Sequence, residues 1–136
     1  MTSIEKARSD FLRGQYKEWG VGRPADLPGA ARLYRRAAMR GLPEAQHALA
    51  FLYATGQGVP ADEVMAAAWF RRAAVQGHAP SQHNLGVMYA EGRGVELDEQ
   101  EAIYWFYRAA IAGCEVSRDW LTAARSAWRE RIAGDM

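Results

Sequence analysis

Hydrophobic positions along this chain follow a three-and-four spacing that is interrupted at regular intervals by glycine. From Pro43 to Ala54 the apolar stripe runs through Ala45, Ala48, Leu49, Leu52 and Tyr53, and a comparable stripe runs from Ala79 to Ala90. That spacing places the apolar groups on one side of an α-helix. Each stripe ends at a Gly-x-Gly loop, Gly56 and Gly58 or Gly92 and Gly94, where the chain can turn at positive φ. A second helix then begins after Asp62 or Asp98, residues suited to capping free backbone N–H groups; Asp98 with Glu101 has the spacing of a capping box. Its apolar stripe is Ala66, Trp69, Phe70, Ala73 and Ala74, and Gly77 supplies the left-handed stop.

The pairs are copies of one another. At an offset of 36 residues, Trp69 and Phe70 fall on Trp105 and Phe106, Leu49 on Leu85, Tyr53 on Tyr89, Val59 on Val95 and Asp62 on Asp98. One further step back gives Leu33-Tyr34-Arg35-Arg36-Ala37-Ala38 and the loop residues Gly20, Gly22 and Asp26. A single helix pair buries too little apolar surface to stand alone, so the copies must stack. The expected architecture is an all-α solenoid forming one domain: a degenerate first repeat over 1–40, repeats over 41–76 and 77–112, and a C-terminal capping helix within 113–136. In that last segment Trp120, Leu121, Ala124, Trp128 and Ile132 share a face, and at the other end Ile4, Phe11, Leu12, Tyr16 and Trp19 are expected to cover the first repeat.

Composition narrows the function classes. With 49% hydrophobic and 24% charged residues the balance is that of a folded soluble domain, and a net charge of +1 gives no general field for attracting nucleic acid. The single cysteine, Cys114, cannot form an internal disulfide, and no apolar run reaches the length of a signal peptide or a membrane span. The sequence therefore predicts a cytoplasmic protein with no nucleic-acid or membrane partner. Lys6 and Lys17 are the only lysines against many arginines, a bias pointing to a GC-rich bacterial genome.

The matched positions Ser81, Leu85, Gly86, Tyr89, Gly92, Gly94, Val95, Asp98, Ala102, Trp105, Phe106, Ala109, Ala110 and Gly113 together resemble the Sel-one-like repeat family, relatives of the tetratricopeptide repeats. The resemblance holds from about Leu33 to Gly113; in the first repeat Arg13 and Lys17 stand where Leu and Tyr are expected, and Leu33 replaces the aromatic residue. It implies a right-handed α-α superhelix of helix-turn-helix repeats whose concave surface, lined by the first helices, holds other proteins. Some secreted members with disulfides are linked to peptidoglycan or β-lactam binding, and the cysteines of that branch are absent here.

On the first helices, the positions opposite the core stripe are His47, Phe51 and Ala54, then His83, Val87 and Ala90; Asp119 and Ala123 continue the row, and Gln15 and Glu18 stand at its start. These residues form the candidate partner-binding face, with Phe51 either facing a groove or packing on the neighbouring repeat. The two histidines are expected as exposed polar contacts rather than metal ligands, since no His-x-x-x-His pair or cysteine accompanies them. A second candidate surface is the recurring arginine ridge of Arg35, Arg36, Arg71, Arg72 and Arg108, which either packs over local aromatic and acidic groups or meets an acidic partner. Glu91, Glu96, Asp98, Glu99 and Glu101 form its acidic counterpart, which leaves weak head-to-tail self-association open.

No nucleophile–base pair, carboxylate pair or cofactor motif stands out, so the chain is expected to be non-catalytic and to carry no cofactor or metal. Ser3 and Lys6 match one element of the penicillin-recognising serine enzymes, but no Lys-Thr-Gly follows. The function expected is a bacterial cytoplasmic adaptor or scaffold that binds a partner protein or peptide. The alternatives are a dedicated inhibitor or immunity protein for a toxin and, more remotely, a peptidoglycan- or β-lactam-binding relative.

Overall fold

A computed structural model describes residues 1–135. The described residues form α1 (Ser3–Trp19), α2 (Leu27–Met39), α3 (Pro43–Thr55), α4 (Glu63–Val75), α5 (Ala79–Glu91), α6 (Glu99–Ile111) and α7 (Glu115–Asp135), with no strand among them. Each helix packs mainly on its neighbours in sequence, so the molecule is a solenoid whose core is a continuous seam.

Local chemistry fixes the helix ends. Asp26, Asp62 and Asp98 cap α2, α4 and α6, each accepting a hydrogen bond from the backbone N–H three residues on. Asp98 also takes the Gln100 N–H, while the reciprocal capping box expected there forms instead at the start of α1, between Thr2 and Glu5. Gly20, Gly56 and Gly92 end α1, α3 and α5 in the left-handed conformation, with φ of 70°, 69° and 67°. Gly94 has a second constraint: a Cβ there would lie 2.2 Å from the Glu63 carbonyl oxygen, so the loop after α5 sits directly on the start of α4.

The seam is built of small residues between large ones. Ala45, Leu49 and Leu52 of α3 and Ala66, Trp69, Phe70 and Ala74 of α4 are buried, with Leu85 and Trp105 continuing the core one repeat later. Truncating a fully buried leucine such as Leu49 to alanine should cost about 2–5 kcal/mol, since the stacked neighbours can only partly collapse into the gap. Gln46 and Gln82 join the repeats by hydrogen bonds: their amide nitrogens donate to the carbonyls of Ala38 and Ala74 at the ends of α2 and α4, adding a second donor to acceptors that already take the N–H of Gly41 and Gly77.

Both ends depart from the expected caps. In α1 the buried side is Ala7, Asp10 and Gly14, whereas Ile4, Leu12, Tyr16 and Trp19 remain exposed, and of the expected cover only Phe11 packs inward. The cause is steric: the Tyr34 ring occupies the space beside Gly14, where a Cβ would approach to 2.7 Å, so the close face of α1 must be small. At the other end Trp120 stacks on Phe106 with ring centroids 4.0 Å apart, but Trp128 and Ile132 are left open because the 21-residue α7 runs past the 13-residue α6.

Candidate functional site

The predicted binding row lies on α3 and α5 and divides into two lanes. In the outer lane Phe51 is 49% exposed, and Val87 at the equivalent position of the next repeat is half-buried. Ala54 and Ala90 are also half-buried, and Asp119 and Ala123 of α7 are exposed. At the start of the row Gln15 and Glu18 are partly covered, and Glu18 is committed to a hydrogen bond from the Tyr34 hydroxyl. The outer lane thus presents one aromatic and one branched aliphatic group among alanines.

The inner lane corrects the expectation of exposed histidines. His47 and His83 are half-buried between repeats: each packs on the phenylalanine of its own second helix, His47 on Phe70 at 5.4 Å and His83 on Phe106 at 5.3 Å between centroids. Each also reaches the next repeat, with Nδ1 of His47 2.7 Å from Ser81 Oγ and Nδ1 of His83 2.8 Å from Ser117 Oγ. His78 adds a second imidazole to the first junction, its Nδ1 2.8 Å from the same Ser81 oxygen. A single hydroxyl between two neutral imidazoles donates to one and accepts from the other, which fixes opposite tautomers.

Burial, with the His78 charge, pushes the His47 imidazole down to about 4. His78 is lowered by burial with partial compensation from Glu44, and His83 is lowered by burial. These rings are therefore neutral at physiological pH. The sequence carried a signal for this junction: in the first repeat the same place is taken by Phe11 on Tyr34, and there the serine is replaced by Ala45.

The five ridge arginines all have intramolecular partners. Arg35 and Arg71 donate to the hydroxyls of Tyr53 and Tyr89 in the following repeat. Arg36 lies 3.5 Å from the buried Asp10 carboxylate, Arg72 stacks over Trp69 at 4.6 Å, and Arg108 lies over Trp105 and donates to the Tyr104 hydroxyl. Within the acidic loop Arg93 bridges Glu63 and Glu91 at 3.2 and 2.9 Å. Among the described residues no three histidine, cysteine, aspartate or glutamate side chains converge as a metal site, and no helix is long and apolar enough to cross a membrane.

The Sel1 repeat model matches residues 7–42, 43–78 and 79–114, so three full copies cover most of the chain. The chain belongs to the Sel1 repeat family. Its first repeat, degenerate at Arg13, Lys17 and Leu33, is included in the match. Among solved structures it is similar to a Sel1 repeat protein from Oxalobacter formigenes, at 32% identity and a TM-score of 0.80 over 82% of this chain and 46% of that one. It is also similar to a protective antigen of uropathogenic Escherichia coli with an SLR fold, at 36% identity and a TM-score of 0.83 over 85% of this chain and 25% of that one. The chain thus spans less than half the length of either relative. Cysteine-rich protein B of Helicobacter pylori, at 16% identity and a TM-score of 0.66 over 88% of this chain and 96% of that one, shares the fold. No curated protein matches the chain. Proteins built from Sel1 repeats are typically non-catalytic modules that bind other proteins.

Proposed function

We propose that this chain is a bacterial cytoplasmic adaptor that holds a partner protein or peptide on the concave face formed by α3, α5 and the start of α7. The observation that carries the reading is Phe51: an aromatic side chain left half-exposed on a helix whose other large apolar residues are packed into the seam. Val87 stands at the equivalent position of α5, so two apolar anchors one repeat apart are offered to a single ligand. The histidines beneath them serve the rigidity of that face rather than direct contact. A solenoid that is ordered before binding loses little conformational entropy on association, which suits a small adaptor.

The test is an affinity capture from native lysate with the wild type and with a Phe51→Glu, Val87→Glu double variant, after circular dichroism shows equal folding. The proposal expects a partner retained by the wild type and lost by the variant. Equal capture by both rejects this face.

A further inference from the structure

A small pocket at the junction of the first two repeats has a much larger counterpart at the last turn of the solenoid. Between the first two repeats it is a cavity of about 140 Å³ lined by residues that include Pro28, Ala31, Arg35, Leu49, Tyr53 and Val59. Two repeat lengths later the equivalent positions, Gln100, Ile103, Tyr107, Leu121, Arg125 and Arg131, line a groove of about 820 Å³ between α6 and α7.

Three exchanges account for the enlargement. Gly56 and Gly92, which end α3 and α5, are replaced by Trp128, so α7 continues straight where the earlier helices turn back. The loop that brings Val59 and Val95 onto the core is therefore missing, and Arg131 stands at the valine position. The buried Leu52 and Met88 are replaced by Ala124, which removes further volume from the wall.

We propose that this end groove is a second binding site, distinct from the Phe51 face, for a peptide segment that carries a branched aliphatic or aromatic anchor beside carboxylates. The molecule itself supplies the template for a polypeptide occupant. At the inner junctions the corresponding place is filled by a loop of main chain with a valine anchor, and in the 92–98 loop that anchor, Val95, is followed directly by Glu96. Charge complementarity supplies the rest. Arg125 and Arg131 put two guanidiniums on the wall in place of Tyr53 and Val59, and Arg125 is not within ion-pairing distance of any carboxylate among the described side chains. Glu99 on the opposite wall orients the ligand by excluding its carboxylates from that side.

The probes are two arrays of synthetic dodecapeptides, each with one Val, Ile or Trp anchor, flanked in one array by Asp and Glu and in the other by Lys. Binding is read by fluorescence polarisation, and for the Val and Ile peptides also by the change in intrinsic tryptophan emission, to which Trp120 and Trp128 at the groove contribute. Acidic peptides should bind at least tenfold more tightly than their lysine counterparts. An Arg125→Glu, Arg131→Glu variant, altered only at exposed positions, should reverse that preference. Ala124→Leu, which restores the inner-repeat residue, should abolish binding, and Phe51→Glu should leave it unchanged. Absence of binding in both arrays overturns the proposal, as does an acidic preference that survives the charge reversal. Sedimentation showing a dimer that Ala124→Leu dissolves would overturn the peptide occupant in favour of a second copy of the chain.

Discussion

Nδ1 of His47 lies 2.7 Å from the hydroxyl oxygen of Ser81, a pair 34 positions apart that joins consecutive first helices. The contact repeats as His83 with Ser117 and is absent where Phe11 faces Ala45. The solenoid therefore uses two interchangeable junctions, a polar one and an apolar one, in the same place. Their different chemistry gives the molecule a pH dependence that its net charge alone would not.

The His47 imidazole, held near 4 in the fold, returns to about 6.5 in the unfolded chain, so the unfolded state binds the proton more readily. Stability should be full above about pH 6.5 and be lost progressively as pH falls toward 4, with His78 and His83 adding to the loss in the same direction. The expected loss is on the order of 1–2 kcal/mol after discounting for the solvent-facing edge of the His47 ring. Thermal unfolding followed by circular dichroism at pH 7.5 and pH 4.5 measures it. A His47→Phe, Ser81→Ala variant, which copies the first-repeat junction, should lose less stability across that range than the wild type.

Ser81→Ala alone should be more damaging at neutral pH than Ser117→Ala. Ser81 satisfies two imidazoles, whereas Ser117 satisfies only His83 among the histidines. Leaving buried ring nitrogens without a partner costs about 1–3 kcal/mol. Urea titrations of the two variants decide it, and equal midpoints would show that the shared hydroxyl adds nothing.

Gly94→Ala and Gly22→Ala separate conformational strain from collision. Both glycines have positive φ, 72° and 69°, but an added Cβ meets the Glu63 carbonyl at 2.2 Å in the first and nothing within 4 Å in the second. Gly22→Ala should cost about 1–2 kcal/mol for the left-handed backbone. Gly94→Ala should cost more, because the loop must lift from α4. Chemical denaturation compares them directly.

The repeating pairs, their glycine stops and their aspartate caps were legible in the sequence because they depend on local spacing and on an internal alignment of copies. The buried Trp69–Phe70 and Trp105–Phe106 blocks are legible for the same reason. At α1 the large apolar residues do not face inward, against the pattern of the other helices. Contact with Tyr34 demands Gly14 there, and Ile4, Leu12, Tyr16 and Trp19 are left on the other side. The covered position of His47 and His83 is not legible on a helical wheel, which shows only which way a side chain leaves its own helix. Ser81 and Ser117 come from the next repeat. The sequence signal for that junction is the paired exchange between copies, Phe11 with Ala45 in one and His47 with Ser81 in the next.

Site-specific photo-crosslinking tests the central claim most directly, with a benzophenone side chain placed in turn at positions 51, 87 and 64 in native cells. Val64 is a control, 67% exposed on α4 and away from the proposed face. The account predicts the same partner adduct from positions 51 and 87 and none from position 64. An adduct from position 64 with none from 51 and 87 would contradict it.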